Sequence, residues 1–353
     1  MSIQTSPAVN HLTANQLPRW TPWAVLGGCL LVAAALSGPM FGGFNLAGVA
    51  FVGVLAFLVV MHVLATVVEG RRKATDRLLT HLVAGAFCLA LIPLVSLLFE
   101  TLAKGLPRFD VRFFTYSMRN VVSDGGGAIH ALYGTLYVAG FASVVSIPIG
   151  LMTAIYLAEY GRGPLAKAIT FFVDVMTGIP SIVAGLFAYA LMSVLFGPGT
   201  IMGFSGSIAL SVLMIPVIVR SVEELLRLVP NELREAAYAL GVPKWRTIVQ
   251  VVLPTAISGI VSGIILSIAR IIGETAPLMI AAGFTASLNN NPFANPMMTL
   301  PVFVYDQYAY PGVEREFFDQ RAWTGALTLI LLVMLLNLIG RLIASRFAPK
   351  TGR

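Results

Sequence analysis

The apolar residues of this chain come in long blocks, many of them near the roughly 20 residues a helix needs to cross a hydrocarbon core of about 30 Å. This pattern constrains the fold more than any other feature. In lipid each backbone N–H and C=O must be satisfied inside its own segment, so such blocks become helices. The composition agrees. Hydrophobic residues make up 57% and charged residues 11%, where an ordinary soluble domain carries roughly 25% charged residues. The sequence predicts an all-α, polytopic membrane protein.

Eight spans are expected, at residues 23–36, 46–67, 79–102, 132–157, 168–195, 206–219, 252–282 and 323–343. The sixth is short for a crossing, and the seventh is long, with Gly and Pro inside it. Loop charges test the count. With the amino terminus in the cytoplasm, the inner loops carry Arg19; Arg71, Arg72, Lys73 and Arg77; Arg162 and Lys167; Arg220, Arg227, Arg234, Lys244 and Arg246; and Arg341, Arg346, Lys350 and Arg353. Lys104, Arg108, Arg112, Arg119, Arg315 and Arg321 fall outside, and Arg270 falls within a span. Basic residues concentrate on cytoplasmic loops, so both termini are expected inside. The polar leader holds one basic residue, Arg19, and no small-residue cleavage site ends the first run, which reads as a retained span.

The net charge of +7 therefore reports orientation, and no nucleic-acid partner is expected. Cys29 and Cys88 lie in apolar runs and read as packing residues, and the four His lack ligand-like spacing, so no metal site is expected. Two outer loops are longer, at 103–131 and 283–322. The first contains Asp124-Gly-Gly-Gly127 without the Lys-Ser/Thr of a phosphate loop, and reads as a flexible linker. No internal repeat is visible.

Between spans six and seven lies EAAYALGVPKWRTIVQVVLP, Glu235 to Pro254. Leu233, Ala236, Ala237 and Leu240 recur at i, i+3, i+4 and i+7, one apolar stripe on a short helix. Pro230 suits the start of that helix, Gly241 its left-handed stop, and Pro243 the opening of a second helix that runs to Pro254. Two uses fit this hairpin. Lys244, Trp245 and Arg246 could rest on lipid headgroups; the small Ala pair would instead admit the close approach of another protein.

Glu235-Ala236-Ala237, three residues, Gly241, nine residues, then Val251-Val252-Leu253-Pro254 resembles the EAA signature of ABC-importer permeases, with Val251 where that family usually has Ile. The resemblance implies that the hairpin, residues 230–254, is a coupling element seated on a separate ATPase. No Walker-type Gly-x4-Gly-Lys-Ser/Thr occurs in the 353 residues, so the chain is expected to be a non-catalytic subunit. It would bind no cofactor itself, leaving ATP and Mg to the partner.

Arg270 and Glu274 fall mid-span in SIARIIGETAPL, where an Arg costs roughly 2.5–3.5 kcal/mol on insertion scales. At i and i+4 they could form a structural ion pair. Alternatively, Gly273 and Pro277 break the helix beside them, as happens where a span lines a cavity. Arg220, Glu223 and Glu224 follow span six at its inner end, and either set topology or handle an anion. A guanidinium suits an oxyanion because it stays charged and offers a planar donor fork.

MIPVIVRSVEELLRLVPNELREAAYALG, SGIILSIARIIGETAPL and LPVFVYDQY are similar to the PstA-type permeases of phosphate-specific ABC importers, over roughly residues 80–345. The sister permease usually reads Gly-Glu-Thr-Met where this chain has Gly273-Glu274-Thr275-Ala276-Pro277. The resemblance implies a type I importer permease core of about six helices in the bacterial inner membrane. Its partners would be a sister permease, two ATP-binding subunits and an external phosphate-binding protein. It implies transport roles for Arg220, Glu223, Arg270 and Glu274, and coupling roles for Glu235, Ala236, Ala237, Gly241 and Pro254. The expected organisation is an extra two-span hairpin at 1–78, a permease domain at 79–345 and a basic tail at 346–353. Competing readings are a sulfate or molybdate permease, an ion-coupled secondary transporter using Glu274, and a non-transporting assembly protein.

Overall fold

The computed structural model describes residues 16–41 and 44–347. Lys350 and Arg353 of the expected basic tail lie outside the described residues. Among those described every regular element is helical. Among the described residues seven helices are long and apolar enough to cross a membrane, or eight if one bent pair counts as a single span. Contacts divide the chain into two units, Met1–Leu98 and Phe99–Arg353. The boundary expected after residue 78 falls inside helix α3, Arg71–Gly105.

In the first unit α1 (Thr21–Phe41) packs on α2 (Leu46–Glu69). Asn45 caps α2 by accepting from the Gly48 N–H. The Glu69 carboxylate, with 1% of its side chain exposed, accepts from the Leu17 N–H at 2.6 Å and from Arg77 Nε at 2.6 Å. That acid ties the segment before α1 to α3 across the turn at Gly70, whose φ is +87°.

The second unit is built around α5 (Ile129–Ile155) and α8 (Gly203–Arg227). Small residues let the backbones approach, since apolar burial alone does not drive helices together in lipid. A Cβ on Gly150 would meet Ile218 at 2.7 Å, and one on Gly206 would meet Ala282 at 2.9 Å. On α5, Gly134 is tighter still, with a Cβ falling 1.9 Å from the Met298 carbonyl oxygen. The Leu300 N–H then donates to Thr135 Oγ1 at 2.7 Å, fixing the start of α13 (Leu300–Ala309) on α5.

Three expected boundaries are corrected. The run 168–195 is not one straight helix: α6 (Pro164–Thr177) and α7 (Ser181–Phe196) meet at 107°. Gly178 ends the first, and Pro180, extended at ψ 136°, opens the second. The sixth span does not stop at residue 219, because the charged residues beyond it stay helical through Arg227. The seventh begins earlier and ends sooner, running unbroken from Lys244 to Ile272. Pro254 has no N–H to give the preceding turn, and a π turn at Ile248–Val252 sits directly before it, ahead of α11 (Leu253–Ile272). After Gly273 the chain starts a separate short helix, α12 (Ala276–Ala281), with Pro277 in its first turn.

The glycine run is also not a loose linker. Arg321 of α14 (Arg315–Phe347), 1% exposed, donates to the Ser123 oxygen at 2.8 Å and the Gly125 oxygen at 3.2 Å. Arg108 holds the Gly126 oxygen at 3.0 Å. Gly125 and Gly126 have φ of +95° and +65°, and a Cβ on Gly127 would fall 2.5 Å from the oxygen of Phe113 in the short helix α4 (Val111–Thr115). Glycine is needed here for a pinned corner.

The substitution Gly134→Ala is expected to lower stability by about 1–3 kcal/mol through overpacking. At Gly140, where a Cβ meets nothing within 4 Å, Ala is expected to be silent. Thermal unfolding of the full chain in detergent checks the contrast.

Candidate functional site

The hairpin folds as its punctuation requires. Pro230 precedes α9 (Asn231–Ala239), and Pro243 precedes α10 (Lys244–Thr247). At the corner Gly241 has φ +76°, its N–H donates to the Tyr238 oxygen at 2.9 Å, and the Val242 N–H donates to the Ala237 oxygen at 3.1 Å. These two bonds satisfy carbonyls that the helix end would leave open. The expected four-residue stripe splits. Ala237 is buried against the hairpin, whereas Leu233, Ala236 and Leu240 face outward, Leu240 at 83% exposure. Glu235 is exposed, as are Tyr238 and Trp245. The outcome is a small apolar knob ringed by polar groups.

A buried ion pair anchors this knob. Arg234 of α9 reaches Glu159, in the π turn Tyr156–Tyr160 that ends α5, with Nη2 at 2.7 Å and Nε at 3.2 Å from Oε1. Only 13% and 4% of the two side chains are exposed. Arg234 also donates to the Val229 oxygen at 2.6 Å and the Leu226 oxygen at 2.9 Å, closing the end of α8. Lys244 donates to the Glu159 carbonyl and lies 4.7 Å from the Tyr160 ring centre. One acid thus joins α5, α8, α9 and α10.

Arg220 and Glu223 do come together. Arg220 Nη1 lies 3.2 Å from Glu223 Oε2, and Arg227 Nη2 lies 2.7 Å from Glu223 Oε1. Arg220 also pairs with Asp174 of α6. This cluster borders an open cavity of about 450 Å³ that includes Lys167. Glu224 is exposed.

Arg270 and Glu274 do not pair. No ion pair or hydrogen bond joins their side chains to any other group among the described residues, and Arg270 is exposed on this chain. The break explains it: the Gly273 N–H turns to the Arg270 oxygen at 3.3 Å and the Glu274 N–H to the Ile271 oxygen at 3.2 Å, ending the α-helical register between them. Ser262, Leu266 and Arg270 form an open stripe at i, i+4, i+8 on α11. Gly259 and Gly263 of α11 press on Leu225 and Ser221 of α8. That contact places Arg270 about 10 Å along the axis from Arg220, at 1.5 Å per residue.

Pro277 packs against α7, where a Cβ on Gly185 would fall 2.7 Å from its Cα. At the other end of the unit, the LPVFVYDQY motif forms α13, and Gln307 accepts from Arg321 Nε at 2.8 Å. Burial pushes the Asp306 carboxyl above the usual range. Sequence reasoning missed Asp174, Glu159 and Arg234 as partners. A lone acid inside the apolar run 168–195 was a usable signal for Asp174. Nothing local marks a pair 75 residues apart.

Residues 146–353 match the family model described as the binding-protein-dependent transport system inner membrane component. This is the class: a multi-span membrane subunit of an ABC transporter. The phosphate transport system permease protein PstA of Mycobacterium leprae is 46% identical over 284 residues, covering 78% of this chain and 91% of that protein. PstA 1 of Mycobacterium tuberculosis H37Rv is 48% identical over 278 residues, covering 77% and 88%. The Yersinia pestis PstA is 38% identical, covering 80% and 96%. The chain belongs to the PstA family of phosphate transport system permease proteins.

Replacing Glu159 by Leu is expected to cost about 3–5 kcal/mol locally, because it strands the Arg234 charge in a buried site. Hydrogen exchange across residues 231–251 is the measurement, and faster exchange there than in α14 is the expected result.

Proposed function

We propose that this chain forms one half of the phosphate path of an ATP-driven importer and receives the ATPase stroke through the hairpin 230–254. The observation that carries the reading is an exposed Arg270, without an ion pair or hydrogen bond among the described residues, in the last turn of the apolar span Lys244–Ile272. An Arg there is costly against lipid and is found facing a bundle interior or watery cavity. A second permease across from α11 would enclose it, and a phosphate oxyanion would supply its counter-charge. The guanidinium offers two parallel donors to two phosphate oxygens. Glu274, just past the break at Gly273, keeps that hold weak enough for release.

Arg220, about 10 Å further toward the hairpin end, is already engaged by Asp174 and Glu223. An arriving anion would compete with these carboxylates, which suits an exit site. The bacterial inner membrane, cytoplasmic termini, two ATP-binding subunits, a sister permease and an external phosphate-binding protein complete the reading. Basic residues gathered on the hairpin side support the orientation. The permease domain is residues 79–345, and the first two spans stand outside it.

In the assembled complex, Arg270→Gln is expected to cut phosphate uptake tenfold or more, since a hydrogen bond to a charged group contributes about 1.5–3 kcal/mol. Subunit stoichiometry should stay unchanged; loss of assembly before loss of flux would make the residue structural. Gly241→Leu forces a left-handed φ that costs about 1–2 kcal/mol for a side-chain-bearing residue. It is expected to leave ATP hydrolysis running while uptake fails, and normal uptake would refute docking at this corner.

A further inference from the structure

We propose that the cavity between the end of α5 and the coupling hairpin is a binding site for a phosphate-type oxyanion, separate from the translocation path. It measures about 330 Å³ and is lined by Arg162, Arg227, Asn231, Arg234, Tyr238 and Lys244, together with Glu159. Four cations face one acid, and that acid's charge is met by Arg234. The Glu159 carboxylate takes two donors from Arg234 and is 4% exposed. Arg234 in turn is fully committed to Glu159, Val229, Leu226 and Asn231, so it forms a floor and not a binding arm.

The walls differ. Arg162 makes no hydrogen bond or ion pair among the described residues, and it is exposed to the cavity mouth. Arg227 keeps a single contact, to Glu223, with two-thirds of its side chain open. Lys244 uses one of its three N–H donors on the Glu159 oxygen. The site is rich in donors and poor in acceptors, which is the complement of an oxyanion. Arg and Lys converge there from the loop between α5 and α6, the end of α8, and α10.

An anion held by all three would brace the hairpin against the core beside the buried pair. The recognised chemistry is a tetrahedral phosphate carrying at least one negative charge. Inorganic phosphate and the phosphodiester of an anionic lipid headgroup both supply it.

The test uses the full-length chain in nanodiscs of neutral phosphatidylcholine, comparing unfolding midpoints in phosphate and in chloride at matched ionic strength. Wild type and Arg270→Gln are both expected to shift upward in phosphate. The double variant Arg162→Gln/Lys244→Gln is expected to lose the shift, with affinity falling about tenfold or more per charged contact removed. The second arm replaces neutral lipid by phosphatidylglycerol and counts retained lipids by native mass spectrometry. Retention by wild type and not by the double variant identifies the headgroup as occupant, and a phosphate shift identifies the free ion; either supports the site. Equal behaviour of wild type and double variant in both arms overturns it. A phosphate shift abolished by Arg270→Gln alone also overturns it, by assigning the ion to the translocation path. Because Arg162 holds nothing else in place, Arg162→Gln alone repeats the comparison without disturbing the fold.

Discussion

The buried pair of Glu159 and Arg234 is the contact on which the rest of the second unit depends. A carboxylate and a guanidinium removed from water gain little net stability from each other unless their remaining hydrogen-bonding groups are satisfied. Here the arginine also closes the carbonyls that end α8, and the acid's backbone oxygen takes Lys244. The pair therefore fixes geometry. It anchors a surface hairpin of two short helices, too short to hold shape alone, to the long helices behind it.

The second constraint is a charge without a partner. Arg270, in the last turn of the apolar helix α11, makes no ion pair or hydrogen bond among the described residues, and the Gly273 break takes Glu274 out of its helical register. A chain that folded to completion alone would pair them, since i and i+4 on an unbroken helix are neighbours. The sequence places Gly273 and Pro277 where that pairing is prevented. The open stripe along α11 reads as one wall of a larger structure, with the compensating groups coming from elsewhere. Membership of the PstA family of phosphate permeases agrees with a subunit that is incomplete on its own.

Much of the fold was readable in the sequence because it is set by local rules. Gly241 between Pro230 and Pro243 marks the corner of the hairpin, and the long apolar runs mark the helices. Errors arose where hydropathy was asked to locate ends and bends. The charged run after Val219 ended the apparent span although the helix continues to Arg227. The bend at Gly178–Pro180 was hidden because both flanking segments are apolar. The run Asp124–Gly127 looked like a linker because the arginine that pins it lies almost 200 residues away. The candidate residues Arg220, Arg270 and Glu274 were visible as charges in apolar surroundings. Their pairing was not, since whether Arg270 meets Glu274 or Arg220 meets Asp174 is decided in three dimensions.

A hairpin held by the Glu159–Arg234 pair would move with the span bundle as one body. Spin labels at Leu240→Cys on the hairpin and Met152→Cys on α5, with Cys29 and Cys88 replaced, report that distance directly in the assembled transporter. The account predicts a separation constant to about 1–2 Å between nucleotide-free and ATP-bound states, as packed elements allow. A change of about 5 Å, the scale of one element slipping a helical turn past another, would contradict it.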